Sequence, residues 1–284
     1  MMLVLSIFPG GGLLDVAFES EGFCVVKGPD PLWGGDIRRF HPPSGVFAGV
    51  IGGDPCQSHS ALANLVRAKG LEPSFQDLSS EYERVVEEAK PRWFLRENVR
   101  RAPAIEPAGY DVRTFLLDNH ASLGEEQMRT RRFWFGTRGF PAPELRKHIE
   151  FARTIPQGSV AARRAVHGGH DETPWHRDGD SGWKQAVTAD PRRVPVKLGG
   201  SGKPKASVTG RHEGAIGVTG GHAGNPPRYT LEEMLDLQGL PADHFKHSPF
   251  TMQGKRKIVG NGVPQAMGRA LARAIRLALA ELAA

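Results

Sequence analysis

The chain is 284 residues long, 39% hydrophobic, and carries 37 Lys and Arg against 31 Asp and Glu, a formal net charge of +6. Such a length buries the core of one or two domains; two cysteines exclude a disulfide framework and fit a reducing, cytoplasmic setting; and no apolar run approaches the ~18 residues of a membrane span. The charge surplus sits within residues 138–227, which hold 14 Lys and Arg against 8 Asp and Glu, and a local concentration of this kind points to a polyanionic partner more than a basic average does.

In chain order, Met2-Leu-Val-Leu-Ser-Ile-Phe8 predicts a buried strand that stops at Pro9-Gly10-Gly11-Gly12. The run is too short, and too soon followed by glycine, to be a signal peptide. Leu13, Leu14, Val16, Ala17 and Phe18, interleaved with Asp15 and Glu19, predict a helix. Phe23 to Val26 is a second strand, and Gly45 to Ile51 a third that ends at Gly52-Gly53-Asp54-Pro55-Cys56. Ser80-Glu81-Tyr82-Glu83 has the spelling of a capping box. Behind it Tyr82, Val85, Val86 and Ala89 repeat at i, i+3, i+4 and i+7, a helix closed by Pro91. Trp93-Phe94-Leu95 and Arg132-Phe133-Trp134-Phe135 are further strands. Strands alternating with helices predict the α/β class, a doubly wound and mostly parallel sheet.

The texture changes near residue 138. From there to about 227 the chain is rich in Gly, Pro, His and Arg and poor in apolar periodicity, which predicts an inserted, loop-rich domain. Regularity returns with a second capping box, Thr230-x-x-Glu233, opening a helix that carries Met234, Leu235 and Leu237. A last helix from about Pro264 has Met267, Leu271, Ala274, Ile275 and Ala278 on a buried stripe, with Arg269, Arg273 and Arg276 elsewhere. The organisation expected is a domain over 1–137, an insertion over 138–227, and a return to the first domain over 228–284.

Several residues are placed for chemistry. A glycine turn between a strand and a helix lets a ligand approach the backbone and the helix N-terminus. The dinucleotide fingerprint G-x-G-x-x-G would need glycine at position 15; Asp15 stands there, which disfavours a nicotinamide cofactor. Asp30, after the second strand, suits either a ribose diol or a plain turn, and Asp36-Ile37 is a second candidate contact. Cys24 lies in mid-strand as a small hydrophobe. Cys56, by contrast, follows a strand's carboxyl end, where open α/β sheets hold their ligands and where a thiolate of lowered pKa is a nucleophile. Glu97, two residues beyond Trp93-Phe94-Leu95, is a carboxylate at another strand end, costly unless paired, solvated or used. Gln127-x-Arg129-x-Arg131-Arg132 enters the next strand with arginines suited to an anionic or carbonyl-rich ligand, or to a solvated basic edge. The six histidines of 138–227 (148, 167, 170, 176, 212 and 222) have no cysteine beside them and read as loop polarity rather than a zinc site.

Together these pieces resemble the DNA cytosine-5 methyltransferases of bacterial and phage type. Phe8-Pro9-Gly10-Gly11-Gly12 looks like the family's F-x-G-x-G cofactor loop, Pro55-Cys56-Gln57 like its nucleophile motif, and Glu97-Asn98-Val99 like its Glu-Asn-Val motif. Gln127-Met128-Arg129-Thr130-Arg131 fits its Q-x-R-x-R motif, Thr230, Glu233, Gln238-Gly239 and Pro241 fit the helix after the recognition region, and Gly260-Asn261-Gly262-Val263-Pro264 is similar to its G-N-x-V-P motif. The resemblance implies a Rossmann-like fold, S-adenosyl-L-methionine as cofactor and double-stranded DNA as partner of a cytoplasmic monomer. It implies catalysis by Cys56, Glu97, Arg129 and Arg131, and cofactor contacts from Phe8, Gly10, Gly12, Asp30, Asp36, Ile37, Asn261 and Val263. Gln57, Ser60, Gln127, Arg132 and Thr230 are the implied DNA contacts. In the family the thiolate adds to C6 of a flipped-out cytosine, the glutamate, its pKa raised, shares a proton with N3, and the arginine holds O2. Residues 138–227 fall where the family keeps its target-recognition region. A tRNA cytosine-5 methyltransferase on the same motif set, or a DNA-binding protein with a degenerate site, remains an alternative.

Three departures stand out. Asp54 replaces a usual Pro or apolar residue and, if it faced the thiol, would oppose thiolate formation; His59 replaces a common Phe; and the family's acidic-aromatic pair between strands two and three is not evident.

Overall fold

In the computed structural model, which describes residues 2–55, 77–125, 127, 129–149 and 230–282, six strands form one sheet. They are β1 (Met2–Ile7), β2 (Phe23–Lys27), β3 (Gly49–Gly52), β4 (Trp93–Asn98), β5 (Tyr110–Asp118) and β6 (Thr130–Arg138), in the order β2-β1-β3-β4-β6-β5. β1 pairs in parallel with β2 and β3, β3 pairs in parallel with β4, and β6 runs antiparallel to β4. The order reverses at β1: the chain goes first to β2 on one side and then to β3 on the other. A reversal of this kind opens a crevice between the carboxyl ends of the two diverging strands.

The residues of β4 show why both sheet faces are covered. Side chains alternate across a strand, so Trp93 and Phe94 point oppositely. Trp93 meets Phe18, Phe23 and Phe135 with ring centroids 6.0 to 6.4 Å apart. Phe18 belongs to helix α1 (Leu13–Ser20). Phe94 instead meets Tyr82 of helix α2 (Ser79–Ala89) and Tyr110, at 6.3 and 5.5 Å. Leu5, Ile7, Val50, Val85, Val86 and Ala89 complete the core on that second side. The sheet is therefore doubly wound, as the alternating pattern predicts.

Contacts divide the chain into two units. One comprises Met1–Leu117, Thr130–Ile149 and Gly268–Ala284, the other Asp118–Arg129 and Glu150–Met267. The second holds α3 (Asn119–Leu123), α4 (Leu231–Leu237) and α5 (Met252–Asn261). Helix α6 (Gln265–Glu281) belongs to the first unit from Gly268 onward. There its expected stripe, Leu271, Ala274, Ile275 and Ala278, is buried, and Gly268 lets it approach α1, since a β-carbon at that position would stand 2.5 Å from Ala17 Cβ. Arg273, on the exposed side, pairs with Glu21 at 2.8 Å. Among the described residues no helix is long and apolar enough to cross a membrane.

Three local expectations change. α2 begins at Ser79, whose N–H donates to Asp77 Oδ1 at 2.9 Å, and Glu83 accepts instead from the Glu106 N–H at 2.7 Å, so the Ser80 capping box does not form. The second box forms in full: Thr230 Oγ1 accepts the Glu233 N–H, and Glu233 Oε2 accepts the Thr230 N–H. The third strand starts at Gly49 rather than Gly45, which turns at φ +76° and donates its N–H to Ala89 O.

Candidate active site

Register brings three strand ends level. Ile7 of β1 pairs with Gly52 of β3, and Gly52 pairs with Arg96 of β4. The segments Phe8 to Gly12 and Gly53 to Pro55 therefore leave the sheet at the same edge at which β4 ends, with Glu97 and Asn98. Gly52 stands at φ +145°, and a β-carbon there would run into the Ile7 carbonyl oxygen, so only glycine lets β3 end this close to β1.

The first segment turns sharply. Phe8, buried, takes a left-handed φ of +54°, a conformation that costs a non-glycine residue about 1 kcal/mol or more and gathers at functional sites. Gly12 caps α1 at φ +75°. Both polar atoms of the Gly10 peptide are held: its N–H donates to Asp30 Oδ2 at 2.8 Å, and its carbonyl accepts from the Trp33 indole at 2.9 Å. Asp30 also caps the 3-10 turn Pro31–Trp33 through the Leu32 N–H at 2.7 Å. An acidic and an aromatic residue therefore meet on the glycine loop although their spacing does not announce them. Trp33, 60% exposed, is a lone Trp in a short turn with no periodicity to mark it in the sequence. Asp36 caps the next turn, Ile37–Arg39, and the Arg38 hydrogen bond holds its carboxyl below the ordinary range. Ile37 is a core residue whose carbonyl accepts from Arg84 Nη2 at 2.7 Å.

Beneath the glycine loop lies Asp15, wholly buried, with Oδ1 accepting from Ser6 Oγ at 2.5 Å and Oδ2 without a hydrogen-bond partner. Burial pushes its carboxyl up to about 6, partly offset by the Ser6 bond and by Lys27. Its folded value thus exceeds its unfolded one, and the stability it contributes is present in full below about 4 and is lost as pH rises through about 6. Asp15→Asn is expected to raise the melting temperature at pH 7.5, with a ceiling on the order of 3 kcal/mol, and the gain should vanish near pH 4 in thermal scans across that range.

The sharpest arrangement joins the two remaining strand ends. Because β6 runs antiparallel to β4, the start of β6 lies beside the end of β4, with Asn98 opposite Arg132 and Glu97 opposite Phe133. Arg131 reaches Glu97, Nε to Oε1, at 2.9 Å, and neither side chain is more than 19% exposed. Glu97 in turn closes over the turn from β3: a β-carbon on Gly53 would stand 2.5 Å from Glu97 O and 3.0 Å from Glu97 Oε2. Arg132 turns to the other face, its guanidinium 5.8 Å from the Trp134 ring. A carboxyl and a guanidinium thus stand side by side next to Gly53-Asp54-Pro55, the peptide that leads into Cys56.

Asp54 does not behave as its sequence position warns. Its carboxylate is buried and bound by Arg96, at 2.5 Å from Nε and 2.9 Å from Nη2. The negative charge beside the cysteine motif is therefore neutralised inside the protein.

The other candidates fall in the second unit. Gln127 is buried and donates to Leu237 O at 2.8 Å. Arg129, also buried, donates to Gly260 O and Gly262 O at 2.8 and 3.0 Å, so it holds the turn that contains Asn261. Gln238, from the resemblance's Gln-Gly pair, donates to Val259 O at 2.6 Å. Asn261 is exposed, Val263 buried, and Thr230 caps α4. Cys56, Gln57, His59, Ser60, and the histidines at 167, 170, 176, 212 and 222 lie outside the described residues.

The chain's likeness to known proteins agrees with this geometry. The sequence profile of C-5 cytosine-specific DNA methylases matches residues 34–180. Type II methyltransferase M.NgoPII of Neisseria gonorrhoeae is 30% identical over 56% of this chain, and the match spans 52% of that relative. Type II methyltransferase M.FnuDI of Fusobacterium nucleatum is 26% identical over 99% of this chain and 96% of its own length. The fold is shared with S. pombe Dnmt2 methyltransferase (TM-score 0.56, 15% identity, 99% of each chain) and Entamoeba histolytica methyltransferase EhMeth (TM-score 0.57, 12% identity, 99% of each chain), and the sheet is Rossmann-like as theirs is. With the profile spanning over half of the 284 residues and the motif-bearing strand ends gathered at one sheet edge, the chain belongs to the family of C-5 cytosine-specific DNA methylases.

Proposed function

We propose that this protein methylates C5 of a cytosine in double-stranded DNA, using S-adenosylmethionine and a covalent bond from Cys56. The observation that carries the reading is the Glu97–Arg131 pair at 2.9 Å, packed over the glycine turn that precedes Cys56.

The chemistry asks for these groups. C5 of cytosine is a poor nucleophile while the ring is aromatic. Addition of the Cys56 thiolate at C6 breaks that aromaticity and sends an electron pair toward N3 and O2. Arg131 holds the charge that grows on O2, and the Glu97 carboxyl shares a proton with N3, so C5 becomes electron-rich. When bound, S-adenosylmethionine supplies an electrophilic methyl group on a positively charged sulfur. Loss of the C5 proton and elimination of the Cys56 sulfur then restore the ring and the thiolate. The target atoms are inaccessible in a stacked duplex, so the base must leave the helix, at a cost of a few kcal/mol. Phosphate contacts from the basic stretch 138–227, the proposed recognition domain, offset that cost and make binding salt-dependent.

The glycine loop fits the cofactor. Among the described residues a β-carbon at Gly10 would meet nothing within 4 Å, and the Trp33 ring and Asp30 carboxylate flank that space as a stacking face and an acceptor for a nucleoside. Trp33→Ala is expected to weaken S-adenosylmethionine binding about tenfold, or about 1.4 kcal/mol, by titration calorimetry. Because the ring is 60% exposed, the melting temperature should stay within about two degrees.

The proposal is tested by incubating purified protein with methyl-labelled S-adenosylmethionine and either duplex DNA or tRNA. Label recovered as 5-methylcytosine in the duplex supports it; label only in tRNA, or in neither, overturns the DNA assignment.

A further inference from the structure

We infer that Asp54 and Arg96 form a positioning pair that sets the nucleophile-bearing turn against the Glu97 strand end, an inference that rests on the proposed function. Asp54 stands two residues before Cys56, and Arg96 stands immediately before Glu97. Their side chains meet in a fully buried, two-pronged ion pair, so one contact fixes the approach of both segments.

All three nitrogens of the Arg96 guanidinium are engaged. Besides Asp54 it donates to Ser79 Oγ at 2.8 Å and to Pro103 O at 2.7 Å, and it lies 4.6 Å from the centre of the Trp134 ring. Ser79 Oγ donates in turn to Asp54 Oδ2 at 3.0 Å, and Asn98 Nδ2 donates to the Asp54 carbonyl at 3.1 Å. Arg96 thus binds Asp54 just ahead of residues 56–76, Ser79 just after them, and Pro103 in the loop that follows Glu97.

A buried ion pair is rarely retained for its net stability, because desolvating two charges offsets most of their attraction and an apolar pair of similar volume is often as stable. What such a pair adds is direction: a bidentate contact tolerates little rotation or sliding. Ser79, Pro103 and Trp134 are arranged around this charge, so the charge sets the turn. The acid before the cysteine, a departure from the family pattern, is thus matched by the arginine before the glutamate.

The test uses the intact protein, S-adenosylmethionine and a duplex carrying 5-fluorocytosine, and follows the rate of the denaturant-stable adduct beside melting temperature and cofactor affinity. Asp54→Glu keeps the charge and lengthens the arm; it should slow trapping at least about tenfold at a temperature well below melting, with cofactor affinity within about twofold. The double variant Asp54→Leu with Arg96→Met should recover most of the melting temperature that either single change loses, yet still trap at least about tenfold more slowly than wild type. A purely structural pair would restore rate together with melting temperature, and that result, or an Asp54→Glu rate equal to wild type, overturns the inference. Absence of any adduct with the wild-type protein would instead overturn the functional reading beneath it.

Discussion

Cys56→Ala is expected to abolish methyl transfer and adduct formation together, while cofactor binding and melting temperature stay near wild type. The loss should exceed about four orders of magnitude, since no other group of the motif can attack C6 and the uncatalysed methylation of an aromatic carbon is negligible at neutral pH. The structure sharpens this expectation. The carboxylate nearest the cysteine in sequence, Asp54, is held by Arg96, so its charge is compensated, and Cys24 sits in β2 paired with Leu3, remote in register from the strand ends that gather the site. The comparison to make is single-turnover transfer of labelled methyl, with calorimetry confirming that the variant still takes up cofactor.

Glu97→Gln should reduce the single-turnover rate by about two to four orders of magnitude with cofactor affinity retained, the range expected when a positioned proton donor is removed. The amide preserves shape and can still accept from Arg131, whose Nε lies 2.9 Å from the carboxylate today, so the fold should survive. It cannot pass a proton to N3, and the ring would therefore resist addition at C6. A rate unchanged by this substitution would remove Glu97 from the mechanism and leave the pair with a structural role only.

How much of this was legible in the sequence depends on how local the signal is. The apolar runs of β1 and β4 and the 3.6-residue stripes of α2 and α6 are local, and they fold as read. β5 carries no clear strand signal: Tyr110–Asp118 mixes Asp111, Arg113 and Thr114 into its pattern and lies at the outer end of the sheet, half-exposed, where polar residues are tolerated. Helix α5 is masked in the sequence because Gly254 and Gly260 depress its propensity, although Thr251 caps it through the Gly254 N–H at 3.1 Å. The Ser80 capping box was spelled correctly yet not formed, because Asp77 took the helix start first. Partners distant in sequence were invisible in principle. Nothing near Asp54 names Arg96, nothing near Arg129 names the Gly260 carbonyl, and Trp33 becomes notable only when the fold brings it to Gly10.

The central claim is that the Cys56 sulfur, the Glu97 carboxyl and the Arg131 guanidinium act on one extruded cytosine. It is tested most directly by trapping the protein on a 5-fluorocytosine duplex in the presence of S-adenosylmethionine, digesting the complex, and locating the nucleotide by mass spectrometry. The account predicts a single modified peptide with the bond at Cys56; a bond at Cys24, or turnover of ordinary cytosine with no trapped species at all, would contradict it.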